Sequence, residues 1–402
     1  MHLFINALAA SAGGGLTYIR NVIPHLSARD DLRISVVLSS DLSREFRSYR
    51  KIELLEMNGS VGRRFWYEQS TLPRTIRNAK ADILLSTGNF AIRHSPVPQI
   101  LLSRNSIYLS PDYYRDLLAR NEYRTWMETR LRGMLARKSI QWADVTVAPS
   151  EAFALDLARW SNRRVLPIHH GFDYEEFTRD KSPLPESVNR ELLAAEGSLT
   201  ILFVSHYNYY RNFETLIRAL PVLRHRMANR SIKLLLTCNL ASGKNPGAYR
   251  TEAAARLVKQ LGVSEMIVEL GSIPYQQLHN LYRRADVYVS PAYTETFAHP
   301  LVEAMASGIP VVASDIPVHR EICGEAGMYF PRFSPDDLAH GVTQVLSSPE
   351  SARHMADAGR RRSHEFSWKT HVERILELCD GLANPAVHKS AGMMQAAPGR
   401  SD

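Results

Sequence analysis

The stretch from Pro291 to Gly327, PAYTETFAHPLVEAMASGIPVVASDIPVHREICGEAG, concentrates groups able to do chemistry. Val287–Val289 reads as the end of a strand, and the loop Ser290–His299 follows it. Pro300 suits the first turn of a helix, where a missing N–H costs nothing. That helix stops near Gly308, and Pro310 begins the next strand. The amides of Phe297, Ala298 and His299 are therefore predicted to lie where a helix N-terminus receives an anion. A diphosphate fits such a place without a metal. Glu295 sits in the loop before the helix and Glu303 one turn inside it. A loop carboxylate and a helical carboxylate so placed can hydrogen-bond two different hydroxyl-bearing parts of one ligand.

Three further segments supply partners for such a ligand. FVSHYNYYRN, Phe203–Asn212, lies between a strand and a helix. Its Arg211 keeps a permanent charge and can grip phosphate bidentately, whereas His206 is only partly charged at neutral pH. Gly13–Gly15 follow the first strand, and Gly14 and Gly15 let backbone approach a ligand closely, although S-A-G-G-G-L-T-Y lacks the dinucleotide spacing G-x-G-x-x-G. Ile273 and Pro274 form an apolar platform placed to flank a nucleobase. No Asp-x-Asp stands in a strand context that would hold Mg²⁺, so no metal is expected. No general base is obvious; His94, His169 and His170 are candidates, the last reading as structural in its HHGFD turn.

These residues need a scaffold, and the chain reads as alternating strands and helices, an α/β pattern with parallel sheets. Strands are predicted at Leu3–Ala7, Ile34–Leu38, Ala81–Leu85, Val97–Leu102 and Val145–Ala148, with one long helical stretch over Arg115–Gln141. Asp173–Gly197 is polar, carries Pro183 and Pro185, and reads as a linker. The alternation then restarts, with strands at Thr200–Val204, Ile232–Leu236, Met266–Leu270, Val287–Val289 and Pro310–Ala313. Helices are expected at Phe213–Arg226, Gly247–Leu261, Tyr275–Arg284, Pro335–Leu346, Ser351–Glu365 and Ser367–Leu382. Two doubly wound domains in tandem leave a cleft, and such sheets bind ligands at the carboxyl ends of their strands.

The chain of 402 residues is long enough for two ordinary cores. No run approaches the roughly 18 apolar residues needed to span a bilayer. Cys238, Cys323 and Cys379 are far apart, show no metal-ligand spacing and fit a reducing cytoplasm. The net charge of +8 is localised. Asp41–Lys80 holds nine Lys/Arg against five Asp/Glu, and Arg104–Lys138 holds eight against four. Such patches can meet nucleic acid, an anionic membrane or an acidic substrate. No aromatic-basic RNA motif or helix-turn-helix signature is visible, so nucleic acid is not expected as a partner.

With seven residues between Glu295 and Glu303, the ETFAHPLVE segment resembles the E-x7-E motif of the family-4 retaining glycosyltransferases, which have the GT-B fold. The similarity runs from Leu3 to Trp368. It implies two Rossmann-like doubly wound domains facing across a cleft: an acceptor domain over 1–185, a nucleotide-sugar domain over 186–366, and a helix over 367–382 crossing back to the first domain; the small, polar and Pro/Gly content of 383–402 predicts a disordered tail. It implies that Glu295 contacts the donor sugar and Glu303 the ribose. Arg211 and His206 stand where similar enzymes carry the Lys and Arg that neutralise the diphosphate, and Gly14 and Gly15 in the loop facing those phosphates. Arg104 and Asn105 occupy the region where many similar enzymes place a His near the reacting sugar, on the acceptor side. The implied activity is metal-independent, retaining transfer of a mannose-, rhamnose- or glucose-type hexose from a nucleotide-sugar, which is a substrate, so no cofactor is implied. The implied acceptor is a glycan or lipid-pyrophosphate-linked molecule of surface polysaccharide synthesis. Together with RRFWY, Arg63–Tyr67, this suggests a cytoplasmic protein working at the inner face of an anionic membrane. The alternatives are another GT-B enzyme, a glycosyl phosphorylase or nucleotide-sugar epimerase, and a nucleic-acid-binding protein.

Overall fold

The structure, a computed structural model, describes residues 1–10, 13–241 and 249–384. The chain divides into two compact units. The first comprises Met1–Leu109, Met127–Gly171 and the chain from Trp368 onward; the second comprises Ser110–Trp126 and Phe172–Ser367.

Seven parallel strands build the first unit: β1 (His2–Asn6), β2 (Arg33–Leu38), β3 (Ile52–Glu56), β4 (Ile83–Ser86), β5 (Gln99–Leu102), β6 (Val145–Ala148) and β7 (Leu166–Pro167). Their order is β3-β2-β1-β4-β5-β6-β7, so the winding reverses between β1 and β4. Ile5 sits at this reversal, opposite Val36 on one side and Leu85 on the other. Both faces of β1 are covered, and its middle, Leu3–Ile5, is wholly apolar. The helix Trp368–Ala383 completes this core, burying Trp368, Val372, Ile375, Leu376 and Cys379 with Leu3, Ile5 and Tyr18.

The second unit repeats the plan with β8 (Leu199–Phe203), β9 (Ile232–Leu236), β10 (Ile267–Glu269), β11 (Val287–Ser290), β12 (Val311–Ser314) and β13 (Gly327–Phe330). The order β10-β9-β8-β11-β12-β13 is again parallel and reverses between β8 and β11. Loops leaving the carboxyl ends of those two strands diverge, and a doubly wound sheet binds ligands there. The loop after β8 carries Arg211 and the loop after β11 carries Glu295.

Several expectations need correction. Arg115–Gln141 is not one helix. Ser110 caps a separate helix, Pro111–Ala119, and Asn121 breaks the chain with a φ of 58° before Tyr123–Trp142 begins. Asn tolerates this left-handed conformation, so no Gly or Pro announces the break. Asp173–Gly197 is not an open linker, for it contains the helices Tyr174–Phe177 and Glu186–Ala194. Phe177 is 1% exposed and packs 5.5 Å from the ring of Tyr275 and 6.0 Å from that of Tyr282, so residues 172–185 belong with the second unit. β3, β7 and β13 were not anticipated: β3 and β13 are partly exposed, and β7 is only two residues long. Of the helix expected at Gly247–Leu261, Glu252–Gln260 is seen; residues 242–248 lie outside the described residues, as do 11–12 of the glycine loop and 385–402 of the expected tail.

Candidate functional site

At the reversal of the second sheet, Nη1 of Arg211 donates to Oε1 of Glu295. The Arg211 side chain is 20% exposed and that of Glu295 is 8% exposed. The guanidinium also lies 5.2 Å from the centre of the Tyr210 ring. A carboxylate this deep needs a partner, since an unpaired buried charge is strongly destabilising.

Backbone geometry fixes both loops. Asn212 adopts φ 56° and begins the helix Phe213–Arg226. Its Nδ2 donates to the carbonyls of Pro291 (3.0 Å) and Arg332 (2.6 Å), while its Oδ1 accepts from Thr215 Oγ1 at 2.8 Å. One amide side chain thus ties together the loops that follow β8, β11 and β13. The amide of Tyr293 donates to the Tyr210 carbonyl at 3.0 Å, stitching the residues next to Arg211 and Glu295. Ser314 Oγ donates to the Ala292 carbonyl. Behind it, His319 is fully buried with Nδ1 3.0 Å from Ser314 Oγ and 2.9 Å from the Ser314 carbonyl. Burial lowers the His319 pKa to about 4, so its imidazole is neutral at pH 7.

The helix predicted from Pro300 starts at His299. Ala298 caps it with φ 62°, an unusual conformation for a residue with a Cβ, and turns the chain from the Glu295 loop into the helix. Phe297 beside it is 1% exposed, its ring set edge-on to Phe366 at 5.3 Å. At the other end Gly308 has φ 72°, and a Cβ there would collide with the Arg360 guanidinium. Glu303 points inward, is 4% exposed and accepts from the Tyr282 hydroxyl at 2.8 Å. Burial pushes its pKa up to about 7. A folded-state pKa above the unfolded value means that folding binds a proton as pH rises past 4.5, so stability falls between about pH 4.5 and 7. Glu303→Gln keeps an acceptor for Tyr282 without the charge. It is expected to be more stable than the parent at pH 8, by about 2 kcal/mol, and little different at pH 4. Urea unfolding at both pH values checks this, and equal stabilities at pH 8 would contradict it.

The remaining predicted residues are dispersed. His206 is exposed, and its carbonyl accepts from Ser205 Oγ at 2.7 Å. Ile273 is buried and Pro274 exposed in the loop after β10, at the far edge of the sheet from β13.

In the first unit, the predicted glycines and Arg104 come together. Arg104 Nη1 donates to the Gly14 carbonyl at 2.6 Å and Nη2 to the Thr87 carbonyl, while its guanidinium lies 5.1 Å from the Tyr18 ring centre. A Cβ on Gly15 would sit 3.3 Å from Ala10 Cα and 3.4 Å from Arg104 Nη2. Burial lowers the Arg104 pKa to about 10, which leaves it charged at pH 7. Asn105 accepts from the Ile107 amide at 3.3 Å and so caps a short turn. His170 is 3% exposed in a ring cluster with Tyr18 and Trp368, His169 supplies a carbonyl to His371 at 2.8 Å, and His94 is exposed.

Tyr282, His319 and Tyr293 were missed by sequence reasoning. Tyr282 and Tyr293 act through partners 21 and 177 residues away, His319 through Ser314 five residues before it, and none stands in a spacing that betrays it. Among the described residues, no three His, Cys, Asp or Glu side chains gather as a metal site, and no helix is long and apolar enough to cross a membrane.

Residues 186–362 match the family described as glycosyl transferases group 1, and residues 12–176 match glycosyltransferase family 4. The D-inositol 3-phosphate glycosyltransferase of Corynebacterium aurimucosum is 27% identical over 272 residues, which cover 65% of this chain and 63% of that protein. The chain thus matches less than two thirds of that relative's length. Sucrose-phosphate synthase from Thermosynechococcus elongatus has a similar structure, with a TM-score of 0.70 at 18% identity over 96% of this chain and all of that one. The Anabaena protein HepE in complex with UDP-glucose gives a TM-score of 0.72 at 16% identity, over 95% of this chain and all of that one. The two doubly wound parallel sheets are those of the GT-B fold. Taken with the matches that cover both halves of the sequence, they show that the chain belongs to the family-4 glycosyltransferases.

Proposed function

We propose that this protein is a retaining, metal-independent glycosyltransferase that moves a hexose from a nucleotide-sugar to a glycan or lipid-linked acceptor in surface polysaccharide synthesis. The observation that carries the reading is the Arg211–Glu295 pair at the sheet reversal, one turn from a helix N-terminus. Arg211 and the amides of Phe297, Ala298 and His299 are assigned to the donor diphosphate, with His206 at its edge. Glu295 is assigned to the sugar and Glu303 to the ribose. Ile273 and Pro274 are assigned to the base, Gly14 and Gly15 to the phosphate side of the first unit, and Arg104 to holding that loop rather than to the acceptor directly. HepE was solved with UDP and with UDP-glucose, which makes UDP-glucose the first donor to test.

Retention is the mechanism that this assignment favours. An inverting enzyme needs a base opposite the leaving group, and Glu295 and Glu303, the deep carboxylates flanking this helix N-terminus, are both assigned to donor contacts. Attack from the leaving-group face lets the departing diphosphate take the acceptor proton while Arg211 stabilises its charge. The expected product of an α-linked donor is an α-glycoside, formed equally well in EDTA. Proton NMR of the first product reads the anomeric coupling, and a β-linkage would overturn the mechanism.

The acceptor side has support of its own. On the helix Tyr123–Trp142, Met127, Leu131 and Met134 are 54%, 58% and 67% exposed at helical spacing. Arg124, Arg130, Arg132, Arg137 and Lys138 stand on the same helix against one acid, Glu128. Trp66, on Val61–Ser70, is 66% exposed. Apolar side chains ringed by cations suit an anionic lipid surface. Co-sedimentation with phosphatidylglycerol vesicles, lost in M127S/L131S/M134S, is the expected result; equal binding by the triple variant would remove this face from the proposal.

A further inference from the structure

Residues 110–126 fold with the second unit although the chain on both sides belongs to the first. Asp112 and Asp116, spaced by four, share one face of the helix Pro111–Ala119, and Arg120 follows at its end. That face meets all three loops tied by Asn212. Asp112 accepts from Arg332 Nε at 2.8 Å, in the loop after β13. Asp116 Oδ2 accepts from the Tyr293 hydroxyl at 2.9 Å, in the loop after β11, and Asp116 Oδ1 accepts from Arg120 Nε at 2.7 Å. Arg120 Nη1 reaches Glu214 at 2.8 Å and its guanidinium lies 4.3 Å from the Tyr209 ring centre, in the loop after β8.

Four of these charged side chains are largely buried: Asp112 is 9% exposed, Glu214 16%, Arg120 19% and Asp116 21%. Partly buried networks with every member bonded hold their geometry far better than surface pairs. Tyr293 is the critical link. It is 5% exposed, lies two residues before Glu295, and its amide already grips the residue before Arg211.

We infer that the segment 110–126 is a strap that holds the Arg211 and Glu295 loops in register, with Asp116 and Tyr293 as its positioning residues. This rests on the donor-site reading for its catalytic consequence, but not for its structural one. The Asp116–Tyr293 bond sets where the Glu295 carboxylate stands, so loosening it costs turnover while leaving the contacts that bind nucleotide in place.

Two measurements on the full chain test it. In Asp116→Ala and Tyr293→Phe, amide hydrogen exchange is expected to speed up by about tenfold in 205–212 and 291–299, with the rest of the second unit unchanged. Unchanged exchange in those loops overturns the strap, whatever the protein transfers. With UDP-glucose and an acceptor, Tyr293→Phe is expected to lower kcat by about tenfold with KM for the donor within about twofold. The loss is expected to vanish in the Glu295→Gln background, because both changes disable the same carboxylate. Additive losses would show that Tyr293 does not act through Glu295. Faster exchange in both variants combined with no transfer or hydrolysis of any nucleotide-sugar would uphold the strap and overturn the proposed function instead.

Discussion

Glu295→Gln is expected to lower turnover by about a hundredfold while nucleoside-diphosphate affinity holds or tightens. Under the proposed function the two effects separate, because Glu295 is assigned a second partner besides Arg211. In the structure its carboxylate engages Arg211. A diphosphate arriving at the helix N-terminus competes with Glu295 for that guanidinium, and neutralising the competitor frees the cation. Once the donor is seated, the carboxylate is available to the sugar, where charge is needed as the glycosidic bond breaks. Glutamine keeps the shape but not the charge. Calorimetric affinity and kcat measured on one preparation decide this. Parallel losses in both would place Glu295 on the nucleotide rather than the sugar.

What the sequence made legible follows physical range. Phe213–Arg226, Ile232–Leu236 and Val145–Ala148 lie where the pattern placed them, because covered parallel strands and amphipathic helices write their period into the chain. Glu295 and Arg211 were singled out by type and local setting, and the structure places them in contact across 84 residues. Residues that act only through a distant partner left no such mark. Asp116 looks like any acid on an exposed helix until Tyr293, 177 residues on, is folded against it. His319 was hidden differently: its partner Ser314 is only five residues back, but nothing in the local pattern shows that the ring is buried. The helix break at Asn121 was hidden for a different reason: an Asn in the left-handed region leaves the apolar spacing on either side intact. The hydrogen bonds of Arg104 were not legible either: resemblance placed it on the acceptor side, and the fold adds that its guanidinium donates to the Gly14 and Thr87 carbonyls, tying it to the glycine loop.

Arg211 allows structure and chemistry to be pulled apart. Arg211→Ala removes the cation assigned to the departing diphosphate and leaves the Glu295 carboxylate buried beside nothing. Both consequences are large. Loss of a charge-stabilising group of this kind costs about a hundred- to a thousandfold in turnover, and breaking one side of a buried pair costs about 3–5 kcal/mol of stability. Arg211→Lys restores part of each, since a single ammonium still neutralises Glu295 and still meets one phosphate oxygen, without the bidentate grip. The double variant Arg211→Ala with Glu295→Gln leaves no orphaned charge. Its stability is expected to return to within about 1 kcal/mol of the parent, while transfer stays as low as in Arg211→Ala. Unfolding in urea and initial transfer rates on the parent, both Arg211 variants, Glu295→Gln and the double variant test this. If the double variant recovers stability and transfers as fast as Glu295→Gln alone, the single Arg211 substitution acts by disturbing the fold, and Arg211 has no part in the chemistry. If it recovers stability but transfers well below Glu295→Gln alone, the guanidinium is needed for the leaving group itself.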